Sequence, residues 1–105
     1  MTPKVSIILA NYNEEKYIAE AIESVINQTY TNWELIIIDD ASTDRSQDII
    51  NSYKDSRIKT RFCKKNNHVA YASNLGIDMA IGEYIAKIDS DDVWEAEKLE
   101  KQVLF

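Results

Sequence analysis

Three short polar clusters each follow an apolar run: Asn11-Tyr12-Asn13, Asp39-Asp40 and Asp89-Ser90-Asp91-Asp92. In an extended chain, carboxylates two residues apart point to the same side, so Asp89 and Asp91 can converge on one cation. Hard oxygen ligands of this kind suit Mg2+ or Mn2+. Such an ion reverses the local sign, admits a diphosphate and stabilises it as a leaving group. Asp40 is placed to accept a hydrogen bond from the N3–H of uracil or thymine, or equally from the N1–H and amino group of guanine, which leaves the base open. Tyr12 offers a flat apolar face for stacking on that base, or serves as ordinary packing after a strand. Each cluster also has a plain reading: Asn13 as a helix cap, Asp39-Asp40 as an acidic turn, 89–92 as a solvated loop. Their convergence on one place is what points to a ligand.

Convergence needs a scaffold, and the apolar periodicities supply one. Val5 to Ala10 and Glu34 to Asp39 are β-branched runs that read as strands covered on both faces. Between them Ile18, Ala21, Ile22, Val25 and Ile26 recur at helical spacing, predicting a helix over 14–27 with Asn13 as its N-cap. A second helix is predicted from Asp44 to Tyr53, capped by Ser42 or Thr43. Ile58 to Cys63 alternates apolar residues with Arg57, Lys59 and Arg61, the pattern of an edge or half-exposed strand. Val69 to Ile81 reads as a helix ended by Gly82, Tyr84 to Ile88 as a further strand, and Ala96 to Phe105 as a last helical segment. The order β-α-β-α-β-α-β predicts an α/β fold, a Rossmann-like, mostly parallel sheet with helices on both faces. In such sheets ligands bind outside the carboxyl ends of the strands. The three polar clusters fall on that rim.

The 105 residues suit a single domain, 1–105. A formal net charge of −6 argues against nucleic acid as a partner, because that requires clustered Lys and Arg. Cys63 is the lone cysteine, which excludes an internal disulfide and suggests a reducing, cytoplasmic setting with Cys63 as a small buried hydrophobe. The apolar part of the N-terminus is too short for a membrane span. His68 reads as a loop residue, Lys64-Lys65 as a solvated turn, and Trp33 and Trp94 as packing residues beside the sheet. Leu99, Val103 and Phe105 read as exposed apolar positions on an unfinished element, which suggests a homo-oligomer.

Val5-Ser-Ile-Ile-Leu-Ala-Asn-Tyr-Asn13, Gln28-Thr-Tyr30, Trp33 to Asp44, Asn74-Leu-Gly-Ile77 and Gly82 to Asp92 resemble, in order and spacing, the successive signatures of family 2 glycosyltransferases. The resemblance implies the nucleotide-binding half of a GT-A fold and transfer of a sugar, with inversion, from a nucleoside diphosphate sugar, a UDP-sugar being favoured. It places Ala10, Tyr12 and Asp40 at the nucleoside, Asp39 beside them, Asp89 at the nucleotide and Asp91 on Mn2+ or Mg2+. It implies a glycan or lipid-linked glycan as acceptor and a place in polysaccharide biosynthesis. Donor chemistry in the cytoplasm is expected, with peripheral attachment to the inner face of the membrane as the alternative. The general base that deprotonates the acceptor is expected beyond Phe105, so no catalytic residue is assigned within the chain.

Two residues depart from the family pattern. Ala41 stands where glycine is usual, which is tolerated if the backbone there keeps φ negative. Ser73 stands where arginine is frequent, leaving a phosphate or structural contact unfilled. Asn74 and Gly76 read as helix packing and loop support.

Two other α/β classes fit poorly. A signalling receiver needs carboxylates after its first strand and an Asp after its third, where this chain has Asn-Tyr-Asn and Cys63-Lys64-Lys65. A P-loop nucleotidase needs a Gly-rich loop with Lys and Ser or Thr, which is missing. The surviving alternative to a transferase is a noncatalytic nucleotide-binding or interaction module without an acceptor half.

Overall fold

The computed structural model describes residues 3–66 and 69–104. His68 and Phe105, each given a role above, lie outside the described residues. Four strands, β1 (Val5–Asn11), β2 (Trp33–Asp39), β3 (Ile58–Phe62) and β4 (Tyr84–Asp89), alternate with four helices, α1 (Ile18–Ile26), α2 (Ser46–Asn51), α3 (Val69–Met79) and α4 (Lys98–Leu104). The strands form one sheet in the order β3-β2-β1-β4. All three pairings are parallel.

The two central strands are covered on both faces, which explains their unbroken apolar sequence. Ile7, Leu9, Leu35 and Ile37 pack with Ile18, Ala21, Ile22 and Val25 of α1, Ile50 of α2 and Leu99 of α4. Ile8, Ile36 and Ile38 point the other way and pack with Ala72 of α3. Gly76 lets α3 approach the sheet: a Cβ there would lie 2.5 Å from Ile8 Cγ2. β3 and β4 each pair with one strand among the described residues, and β3 is the half-exposed edge its alternation predicts.

Most departures from the predicted elements occur at helix ends. α1 begins at Ile18, four residues later than the predicted 14–27, and Tyr17 precedes it without a side-chain cap. Asn13 is not its cap, because Asn13 Oδ1 accepts from the N–H groups of Thr43 (2.7 Å) and Asp44 (3.2 Å). α2 covers only Ser46–Asn51, and neither Ser42 nor Thr43 caps it; the Ser46 N–H donates instead to Asp44 Oδ1 at 2.9 Å. Gly82 does not end α3 in a left-handed turn, since no glycine has positive φ. The chain leaving α3 is held by the sheet itself. Ile81 N–H donates to Glu34 Oε2 (2.8 Å) and Gly82 N–H to Ser6 Oγ (2.8 Å), while Ser6 Oγ donates to Glu34 Oε2 (2.5 Å). Lys59 Nζ completes this clasp with an ion pair to Glu34 at 2.6 Å.

Leu99 corrects the picture of an exposed apolar end. It is 1% exposed, because α4 folds back over the core. The Gln28 side chain holds it there, accepting from Leu99 N–H (3.0 Å) and donating to Glu95 O (2.7 Å). Val103 is half-buried against the same core, so neither it nor Leu99 is the exposed apolar position expected. Trp33 is a packing residue, 1% exposed, with the Arg57 guanidinium 3.8 Å from its ring centre. Trp94 packs at the border of the same core. No helix among the described residues is long and apolar enough to cross a membrane.

Candidate functional site

The strand order decides where a ligand can sit. From β1 the chain runs outward through β2 to β3, then returns to pair β4 on the other side of β1. This reversal opens a crevice at the carboxyl ends of β1 and β4, the place where open parallel sheets bind ligands. A cavity of about 340 Å3 lies there. Ile8, Ala10 and Tyr12 come from β1 and its exit, Ser73 from α3, and Lys87, Ile88, Asp89, Ser90 and Asp91 from β4 and its exit, with Glu14 at the border. Its size falls within the range of small-molecule sites.

The parallel register places Ala10 opposite Asp89. Ala10 therefore presents a small wall beside a carboxylate. Tyr12 is 42% exposed at the rim, with its ring available to a flat ligand. Asp89 and Asp91 are both exposed, and Asp92 N–H closes a turn onto Asp89 O at 3.0 Å. These two carboxylates are hard donors suited to Mg2+ or Mn2+. No group of three His, Cys, Asp or Glu side chains is assembled around a metal position among the described residues. Two carboxylates suit an ion that fills its remaining positions with water or phosphate oxygens, the habit of Mg2+ at nucleotide sites.

Two adjacent carboxylates, both buried, close β2. Asp39 is fully buried and accepts four hydrogen bonds: Asn11 Nδ2 (2.9 Å) and Ser42 Oγ (2.6 Å) on Oδ1, Ser42 N–H (2.9 Å) and Gln47 Nε2 (2.9 Å) on Oδ2. It lines no part of the cavity. Its four hydrogen bonds brace the loop that follows, and Asp40 likewise stands outside the lining of the cavity. Asp40 is also buried and lies one strand over from the cavity, its N–H donating to Asn11 O at 2.9 Å.

That loop is stitched to the exit of β1. Asn13 N–H donates to Ser42 Oγ (2.9 Å), and Glu15 N–H donates to Asp44 Oδ2 (3.0 Å). Burial acts to raise the Asp44 carboxyl, but the hydrogen bonds from Ser46 and Glu15 outweigh it and hold the group below the ordinary range. Two residues of these loops are left-handed, Asn13 at φ 51° and Ala41 at φ 64°. The condition for tolerating alanine at position 41 is thus not met, and Ala41 carries strain that glycine avoids. Cys63 is half-buried rather than fully buried. Burial pushes its thiol up, the Asp40 and Asp39 charges add to this, and Arg61 opposes it.

Lys87, Ser90 and Glu14 were missed as pocket residues. Lys87 was legible, since it lies two residues before Asp89 in the same strand and so shares its face. Ser73 lines the cavity as a buried hydroxyl where the resemblance anticipates arginine.

Residues 6–105 match the family described as Glycosyl transferase family 2. The putative teichuronic acid biosynthesis glycosyltransferase TuaG of Bacillus subtilis (strain 168) is 43% identical over 105 residues, a stretch that covers 98% of this chain and 42% of TuaG. The chain thus spans well under half the length of this relative. Among solved structures, S. aureus TarS 1-349 in complex with UDP has a TM-score of 0.90 at 30% identity, over 96% of this chain and 31% of that one. The mannosyltransferase PcManGT from Pyrobaculum calidifontis, in complex with GDP-Man and Mn2+, has a TM-score of 0.85 at 26% identity, over 93% of this chain and 30% of that one. With its parallel sheet matching these GT-A enzymes and its sequence matching the family almost end to end, the chain belongs to glycosyl transferase family 2.

Proposed function

We propose that residues 1–105 form the nucleotide-sugar-binding unit of an inverting glycosyltransferase, which takes a sugar from a nucleoside diphosphate donor, a UDP-sugar in preference, to an acceptor hydroxyl. The observation that carries this reading is the crevice at the β1–β4 reversal, where Ala10, Tyr12, Asp89 and Asp91 share one cavity. Tyr12 stacks on the base, Asp40 accepts its imide N–H from the neighbouring strand end, and Ala10 leaves room for the ribose beside Asp89. Asp89 and Asp91 hold Mn2+ or Mg2+, which when bound neutralises the diphosphate and favours its departure. Asp39 keeps the Asp40 loop in place without touching the donor. The pairing of TarS with UDP and of PcManGT with GDP-Man and Mn2+ supports this class of donor and ion.

The transfer step, with its acceptor glycan or lipid-linked glycan and its general base, belongs to a protein of the relatives' length. We place that protein in the cytoplasm, at the inner face of a membrane where the acceptor is lipid-linked, in a polysaccharide pathway as the TuaG name suggests. The test is calorimetric titration of the chain with UDP, GDP and dTDP, each with and without Mn2+. Metal-dependent binding of one nucleotide, weakened at least tenfold in Asp91→Ala and in Asp40→Ala, is expected. Failure of all three to bind with Mn2+ present rejects the donor site.

A further inference from the structure

We propose that Lys87 is a donor-binding residue, its ammonium pairing with the anionic diphosphate of the nucleotide; this rests on the donor-site reading above. The inventory of charge in the cavity is the starting point. Glu14, Asp89 and Asp91 bring three carboxylates to its walls, and Lys87 is the one cation among the described lining residues. A nucleoside diphosphate entering such a place meets repulsion. A divalent ion on Asp89 and Asp91 offsets part of it, and an ammonium in the same wall offsets more.

Lys87 is positioned for this role by strand geometry. It pairs with Ile8 in the register of β1 and β4, as Asp89 pairs with Ala10. The two β4 residues therefore share a face, about 6.6 Å apart along the strand. The flexible four-carbon stem of lysine spans that distance, so its ammonium reaches the level of the acidic turn from the floor of the cavity. The walls around it are small: Ala10 on β1 and the buried hydroxyl of Ser73 on α3.

Lys87 is also uncommitted. Arg57 pairs with Asp55 and Lys59 with Glu34, and Lys87 takes part in neither ion pair. It does not bond even to Asp89, two residues away on its own face. A lysine on a cavity floor between carboxylates, exposed and without an internal partner among the described residues, has its charge available to an incoming anion.

The experiment compares the unmodified chain with Lys87→Gln and Lys87→Arg, titrating UDP in the presence of Mn2+ by calorimetry and uridine by NMR chemical-shift perturbation. Because Lys87 is exposed, the variants should melt at the temperature of the parent, which far-UV circular dichroism checks. Lys87→Gln is expected to weaken UDP about tenfold or more while leaving uridine unchanged, and Lys87→Arg to retain most of the affinity. Equal UDP affinity in Lys87→Gln and the parent overturns the assignment while leaving the donor site standing. A parallel loss of uridine and UDP also overturns it, because the ammonium then reads the nucleoside rather than the phosphates. Absence of UDP binding in the unmodified chain removes the donor-site reading and this inference with it.

Discussion

Ala41→Gly should make this protein more stable, against the usual direction of glycine substitutions. Ala41 follows Asp39-Asp40 at φ 64°, where an L side chain crowds its own carbonyl. That conformation costs roughly 1–2 kcal/mol for a residue with a Cβ and nothing for glycine. Glycine in turn loses about 0.5–1 kcal/mol through the greater freedom of its unfolded chain. The difference spans zero to about 1.5 kcal/mol and centres on a net gain of about 0.75 kcal/mol. For a domain of this length that central value corresponds to a rise of about 3–6 °C in Tm. Thermal unfolding followed by circular dichroism measures it, and a urea titration should show a higher midpoint with unchanged slope. Ala41→Val, with a branched Cβ in the same conformation, should move both midpoints down. A Tm for Ala41→Gly at or below that of the parent refutes the reasoning, since it means that the loop either relaxes to negative φ or gains nothing from doing without the Cβ.

Two further outcomes follow from the clasp at the other end of the sheet. Glu34 is buried, and although burial acts to raise its carboxyl, the hydrogen bonds from Ile81, Lys59 and Ser6 and the Lys59 charge bring it below the ordinary 4.5. A depressed folded value means that its stabilising contribution is complete above about pH 4.5 and is lost as pH falls through the folded value. Glu34→Gln should therefore cost roughly 1–3 kcal/mol at pH 7 and lose less than the parent on going from pH 5 to 3. Urea midpoints across that range check it, and parallel pH curves for the two proteins would count against the clasp. Gly82→Ala should destabilise by roughly 1–3 kcal/mol, because its Cβ would meet Lys4 O at 2.7 Å and Ser6 N at 2.8 Å, backbone atoms at the entry to the central strand β1 that cannot readily give way. A melting curve unchanged by this substitution would show that the loop simply moves aside.

What was legible in the sequence divides along physical lines. The strands were readable because Val5 to Ala10 and Glu34 to Asp39 are continuous β-branched runs with nowhere to go but a doubly covered sheet. Helix interiors were readable from the spacing of residues such as Ile18, Ile22 and Val25. Helix ends were not, because Asn13, Ser42 and Asp44, all good capping types, are recruited to tie two loops together across about thirty residues of sequence. Local pattern reports which residues can cap, and tertiary contacts decide which do. The same limit applies to the site. Asp89 and Asp91 were visible as a pair, but the bracing at Asp39 needed the structure, since only there does that carboxylate gain four donors. Leu99 was misread for a related reason: its cover comes from residues far away, with Gln28 fixing the segment.

The clasp and the site lie at opposite ends of the same strand, and their connection is one of register. β4 pairs with a single strand among the described residues, and four of its six residues are exposed. Apolar burial alone therefore specifies its alignment weakly, in contrast to β1 and β2. A slip by one residue would turn Lys87 and Asp89 to the face now holding Ile88 and remove both from the cavity. What opposes that slip is polar and located at the start of the strand: Glu83 N–H on Lys4 O (2.8 Å), Gly82 N–H on Ser6 Oγ and Ile81 N–H on Glu34 Oε2. Each bond takes a backbone donor left over between α3 and β4 and gives it a partner on β1, on β2 or on Lys4 just before β1. A buried serine and a buried glutamate in otherwise apolar strands thereby set the position of Asp89, four residues along β4 from the Ser6–Ile85 pair, and the cost of burying them is met by the donors they satisfy.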